Sequence, residues 1–147
     1  MDFKDAYARL DASMTCPAWT YASTSGTTLT IQASAFPADP DEGQIDVTLT
    51  TKAQRVQISI PTPDVPTVLA LLTQAGAEPT TWHDLTTLSL SAIAEPGGPL
   101  LLSVTGWDLA APEWPEKTAD VLIDAPARQH MLSAMQRALD MARAWEE

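Results

Sequence analysis

The stretch that decides the fold runs from residue 27 to residue 60. It reads TTLTIQASAF at 27–36, QIDVTLT at 44–50 and RVQISI at 55–60. In the first run Leu29, Ile31, Ala33 and Ala35 alternate with Thr28, Thr30, Gln32 and Ser34. In the second, Ile45, Val47 and Leu49 alternate with Asp46, Thr48 and Thr50. In the third, Val56, Ile58 and Ile60 alternate with Gln57 and Ser59. Successive side chains of a strand point to opposite faces, so a period of two means strands with one apolar and one wet face. The connections are short, with a tight turn at 52–54. The three strands therefore read as an antiparallel meander whose wet face is rich in Thr, Ser and Gln.

Working outward, Trp19–Ala22 is a short aromatic strand, and Ser23-Thr24-Ser25-Gly26 is its turn. Before it, Phe3, Tyr7, Leu10 and Met14 fall at helical spacing behind Asp2, and Pro17 forbids continuation, which predicts a helix over 3–13. After the meander, Asp64 and Pro66 mark a helix start and Gly76 a helix end. The stripe Val65, Leu69 and Leu72, with Val68 beside it, predicts a helix over 65–75. Residues 79–84 read as a linker containing Trp82. Strands follow over 85–94 and 100–104, joined by Pro96-Gly97-Gly98-Pro99. Residues 107–117 read as a longer loop and 119–123 as a last short strand. Asp124 then caps a helix with Pro126 in its first turn and Met131, Met135, Leu139 and Ala142 on one face.

The expected fold is a single α+β domain over 1–147. It is a twisted antiparallel sheet of six or seven strands packed by two or three helices, one N-terminal and one C-terminal. A block of strands followed by a helix occurs twice, over 19–75 and 85–145, without a shared motif.

The 147 residues carry 8 Lys and Arg against 19 Asp and Glu, a net charge of −11. With 45% hydrophobic and only 18% charged residues this is a folded acidic domain, not a disordered tail. Such a charge predicts no direct nucleic-acid binding, since no basic surface displaces counterions from phosphates. The start MDFKDAYARL has no apolar core of a secretion signal, and no apolar run approaches a membrane span. The lone Cys16 cannot form an internal disulfide or a thiolate metal site. Cytoplasmic location, no membrane and no cofactor are the resulting expectations.

Catalytic patterns are sparse, so an enzyme is the less favoured reading. Trp82-His83-Asp84 contains the His-Asp pair used by metal-dependent hydrolases, but His130 is the only other histidine. The acidic run from Asp39 to Asp46 approaches a calcium loop; its glycine stands at the fifth place instead of the sixth, and Thr50 occupies the twelfth. No phosphate-cradling glycine motif and no nucleophile elbow occur.

Partner binding fits the remaining features better. Trp107, Asp108, Glu113 and Trp114 combine aromatic anchors with acids, and Asp39, Asp41, Glu42 and Asp46 place four negatives in eight residues. These eight residues form the expected contact surface, suited to a basic protein partner. The layout over 55–147 resembles the small acidic secretion chaperones, the type III chaperone and YbjN-like group. It shares a strand at 55–61, the run Val68-Leu69-Ala70-Leu71-Leu72, a Pro-Gly-Gly hairpin and a final helix ending in Ala142-Arg143-Ala144-Trp145. The resemblance implies a module that dimerises and sequesters a protein, as a chaperone, an immunity protein or an inhibitor. Two alternatives stand beside it. One is an acidic imitator of nucleic acid, such as a phage inhibitor of a defence system. The other is a small-ligand binder or hydrolase built on Trp82, His83 and Asp84.

Overall fold

The computed structural model describes residues 18–36, 39–84 and 87–146. The helix expected over 3–13, and Cys16, lie outside these residues. The described chain is an α+β fold with eight antiparallel strands and two long helices. They are β1 (Trp19–Ala22), β2 (Thr28–Phe36), β3 (Asp39–Thr50), β4 (Arg55–Pro61), α1 (Val65–Gln74), β5 (Thr80–His83), β6 (Ser89–Ala94), β7 (Leu100–Asp108), β8 (Glu116–Ile123) and α2 (Ala125–Glu146).

Two four-stranded meanders make up the sheet. In the first, β1 to β4 pair in sequence order, with Leu29 opposite Leu49 and Val47 opposite Ile58. In the second, β5 to β8 do the same, with Leu90 opposite Val104 and Leu102 opposite Val121. Each meander is followed by a helix, so the repeated block of the sequence is a repeated unit of structure. The two meanders, the first and second sheets, join into one eight-stranded sheet where the end of β7 pairs antiparallel with the start of β4, at Val56↔Asp108 and Gln57↔Trp107. Gly106 makes that crossing sterically feasible. A Cβ at this position would lie 2.2 Å from the Gln57 carbonyl oxygen, inside any real contact distance.

Burial follows the alternation. Leu29, Ile31, Ile45, Val47, Leu49, Val56, Ile58 and Ile60 line the inner face of the first sheet and are almost wholly buried. Helix α2 lies across β2 and β3 on that face. Its stripe Met131, Met135, Leu139 and Ala142 is buried as the spacing predicts, and Met141 lies off it. The Asp124 carboxylate accepts the Ala127 N–H at 2.8 Å and so caps α2. It also accepts the Tyr21 hydroxyl at 3.3 Å, which ties the edge strand β1 to the helix start. Arg128 is buried one turn later. Its guanidinium donates to the carbonyls of Leu72 at 3.1 Å, Thr73 at 3.4 Å and Gly98 at 3.5 Å. One cation thereby serves the negative end of α1 and the 96–99 hairpin together.

Several expected boundaries shift. Residues 39–43, expected in a loop, open β3, and the pairing jumps at a bulge between Ala35 and Phe36. Residues 80–83, expected in a linker, form β5 because Trp82 pairs with Leu90 and buries its ring. The expected loop over 107–117 shrinks to 109–115, since β7 runs on to Asp108 and β8 starts at Glu116. The count of strands is accordingly eight. Asp64 makes no side-chain cap bond, because a 3-10 turn over Thr62–Asp64 already leads the chain into α1.

Candidate functional site

The second sheet has one face packed into the core and one open. Leu100, Leu102, Val104, Gly106 and Asp108 of β7 point inward, which turns Leu101, Ser103, Thr105 and Trp107 outward. Register carries this outward set across the sheet in rows. Trp107 stands beside Glu116, and Thr105 lies between Ser89 and Thr118. Ser103 lies between Ser91 and Asp120, and Leu101 between Ile93 and Leu122. The edge strand β5 extends the two middle rows with His83 and Thr81.

The face thus has an aromatic end, a hydroxyl middle and an aliphatic end. Trp107 is 42% exposed, while Ile93, Leu101 and Leu122 are 38%, 37% and 55% exposed. A tryptophan and three neighbouring aliphatic side chains left in water on one sheet face signal a binding surface more than a folding requirement. From Leu101 to Trp107 the strand advances six residues, about 20 Å at strand rise. The Thr105 and Thr118 hydroxyls share a hydrogen bond of 2.8 Å, which leaves acceptor capacity on both and one free O–H donor between them.

At the aromatic end the 109–115 loop is strained. Glu113 and Trp114 sit at φ 65° and 47°, in the left-handed region that side chains disfavour. Each such residue costs about 1–3 kcal/mol and persists only where surrounding contacts enforce it. Asp108 supplies the enforcement. It is buried, and its Oδ1 accepts the N–H of Arg55 at 3.0 Å and of Ala110 at 3.1 Å. Its own N–H reaches the Pro115 carbonyl at 2.8 Å, and Leu109 N–H reaches the Arg55 carbonyl at 2.8 Å. The result holds Trp114 out in solvent at 59% exposure, at the same end of the sheet as Trp107.

The eight expected contact residues therefore divide. Trp107 and Trp114 are exposed at this end, with Glu113 on the same loop. Asp108 is committed to the interior. Asp46 lies in mid-strand on the first sheet's polar face, where its Oδ1 accepts from Ser59 at 2.7 Å and Gln44 at 3.1 Å. Thr48 and Gln57 bond to each other on that face at 3.0 Å. Asp39, Asp41 and Glu42 belong to β3, and their side chains lie outside the described residues. Trp82 and His83 alternate, ring buried and imidazole exposed, and the Asp84 carboxylate accepts the Leu88 N–H at 3.2 Å to shape a turn. Among the described residues no group of three or more His, Cys, Asp or Glu side chains gathers where it could hold a metal ion. No helix of the described residues is long and apolar enough to cross a membrane.

The hydroxyl and aliphatic rows lie outside the eight expected contact residues. The signal was present: the alternation of 100–104 continues unbroken to 108, with Gly106 and Asp108 in the inward places.

No known protein family and no curated protein matches the chain. Solved structures do. WHY1 from Arabidopsis thaliana superposes with a TM-score of 0.62 at 12% identity, covering 88% of this chain and 86% of that one. The plant transcriptional regulator PBF-2 gives 0.61 at 11% identity, over 88% and 83%. The MRP1/MRP2 structures from Trypanosoma give 0.56 at 16% identity, over 95% and 94%. At these identities the likeness is one of fold. It nevertheless overturns the expectation of a chaperone, immunity protein or inhibitor that sequesters a protein, and with it the expectation of no direct nucleic acid. The physical reason lies in where the charge sits. Net charge is a bulk quantity, and Asp46, Asp108 and Asp124 are committed to internal hydrogen bonds. It is a poor guide to a face whose exposed groups are largely hydroxyl, aliphatic and aromatic.

Proposed function

We propose that the chain binds unpaired nucleic acid along the open face of the second sheet. The observation that carries the reading is that face itself: Trp107 at one end, rows of Ser and Thr across the middle, aliphatic side chains at the other. An exposed indole offers a plane on which any base can stack, at about 1–3 kcal/mol per base. Hydroxyls can pair with base edges or sugars, and aliphatic side chains take the flat face of a further base. Duplex DNA presents phosphates first, and this face has little to offer them. Glu116 and Asp120 lie on it, and Lys117 falls in the inward register place opposite Gly106. The shared fold with a plant transcriptional regulator supports a role at nucleic acid. The single cysteine fits a reducing compartment, and we place the activity in the cytoplasm.

Proteins that neutralise phosphates lose affinity steeply as salt rises. Here contacts are made to bases while a charge of −11 repels the strand at long range, so affinity holds or rises as salt screens that repulsion. Fluorescence anisotropy with labelled single strands and the matching duplex tests this. Single strands should bind in preference to duplex, and Trp107→Ala should weaken them about ten- to hundredfold. Equal binding of single strands by the parent and Trp107→Ala proteins would sink the proposal. An acidic imitator of nucleic acid would bind no oligonucleotide at all, so the same titration separates that alternative.

A further inference from the structure

Register sets Trp107 inside a row that continues past the second sheet. On one side its neighbour is Glu116 of β8. On the other, across the joint at Gly106, it is Gln57 of β4, followed by Thr48 of β3 and Thr30 of β2. Val56 and Asp108 turn inward, so Gln57, Trp107 and Glu116 share the outer face. The exposed indole therefore stands between an amide and a carboxylate. The Cα atoms of those two neighbours lie two strand spacings apart, about 10 Å.

Both flanking groups are oriented, and neither is fully used. The Thr48 hydroxyl donates to Gln57 Oε1 at 3.0 Å, which fixes the amide and leaves its Nε2 hydrogens unpartnered among the described residues. The Thr87 hydroxyl donates to Glu116 Oε1, and among the described residues Oε2 accepts nothing. A base stacked on Trp107 thus meets an acceptor at one edge and a donor at the other.

We infer that this row reads guanine in the unpaired strand, which rests on the reading of the open face as the nucleic-acid surface. Guanine offers two adjacent donors, N1–H and N2–H, and a carboxylate accepts both together. Its N7, on the far side of the ring system, is an acceptor for the Gln57 amide. A purine with a hydrogen bond of about 2.9 Å at each edge is wide enough to bridge the two groups. The other bases fit less well. Thymine and uracil set a single N–H between two carbonyls, which a carboxylate repels. Adenine and cytosine set one amino group beside an acceptor nitrogen. The inference also accounts for an acid on a face that meets nucleic acid: Glu116 makes a charge-assisted pair with the base and none with the phosphates.

Fluorescence anisotropy with labelled single strands of equal length tests this. One strand is all thymine. The second carries isolated guanines, spaced too far apart to form four-stranded structures. The third has hypoxanthine, which lacks the N2 amino group, in place of each guanine. The guanine strand should bind roughly ten- to hundredfold more tightly than the thymine strand, and hypoxanthine should forfeit most of that gain. Glu116→Gln keeps the side-chain length and an acceptor for Thr87, and it should bring the guanine-to-thymine affinity ratio close to parity. Asp140→Asn removes the same charge from the exposed side of α2 and should leave the ratio unmoved. An unchanged urea midpoint in each variant establishes that the fold is intact. Binding that Trp107→Ala weakens but that is equal for the three strands overturns the guanine inference and leaves the open-face reading standing. Absence of binding to every strand overturns both. A ratio that Glu116→Gln does not alter overturns the assignment to this row. So does displacement of the guanine strand by guanosine monophosphate at an equal concentration of base, which would assign the row to a free nucleotide.

Discussion

Replacing Gly106 by alanine tests the joint between the two sheets. The added Cβ would stand 2.2 Å from the Gln57 carbonyl oxygen, 2.7 Å from its carbon and 3.2 Å from the Ile58 nitrogen. Ordinary contact begins near 3.4 Å, and the opposing atoms are backbone, so no rotamer change relieves the overlap. The strands must part by about 1.2 Å. That separation exceeds what the bonds from Leu109 N–H to the Arg55 carbonyl and from Arg55 N–H to Asp108 can tolerate. Overpacking costs about 1–3 kcal/mol. Two lost hydrogen bonds add about 0.5–1.5 kcal/mol each. The expected destabilisation is about 3–5 kcal/mol, a large share of the roughly 5–15 kcal/mol that holds a domain of this kind together. At about 2–4 °C per kcal/mol the melting temperature falls by about 10 °C. Urea and thermal unfolding of the variant measure it, with Gly76→Ala as the control, because a Cβ at Gly76 meets nothing within 4 Å. A loss below about 1 kcal/mol for Gly106→Ala, or a loss equal to that of the control, would refute the steric account of the crossing.

Three other perturbations bear on the same framework. Arg128→Met keeps the apolar stem but leaves the Leu72 and Thr73 carbonyls unserved, and denaturant unfolding should show a loss of about 2–4 kcal/mol. Asp124→Ala removes the cap of α2 and the Tyr21 contact together. A loss of about 1–2 kcal/mol is expected, and Tyr21→Phe should reproduce only the smaller part of it. Asp108→Ala frees the strained 109–115 loop. Amide exchange at Ala110 and Trp114 should quicken by more than tenfold while the α2 amides stay protected, and uniform quickening of both would contradict a local role.

Legibility tracked hydrophobicity. Strands β2, β3 and β4 are plain over 28–35, 45–50 and 55–60 because every second residue there is Leu, Ile, Val or Ala and every other one is polar. The C-terminal helix was plain for the same reason at a period of 3.6. The ends of β7 and the start of β8 were hidden because their inward places hold Gly106, Asp108 and Lys117, none of which looks like core. Strand β5 was hidden because it is four residues long and only Trp82 among them is buried. The acids misled for a related reason. Asp46 reads as part of an acidic run, yet its neighbours in space are Ser59 and Gln44. Asp108 reads as a surface charge, yet backbone N–H groups surround it.

By itself the sequence determined the fold class, the inner faces of the first sheet, both described helices and the repetition of a strand block followed by a helix. Those features depend on the local periodicity of apolar residues, which a chain carries along its length. Only the tertiary structure decided that two meanders cross at Gly106, and that Asp108 turns inward while Trp107 stays out. Pairing in three dimensions likewise lines Trp107 up with hydroxyl and aliphatic rows drawn from three other strands. Those are consequences of register between segments distant in sequence, and register becomes definite when the inner faces close on one another and the outer faces are left to the solvent.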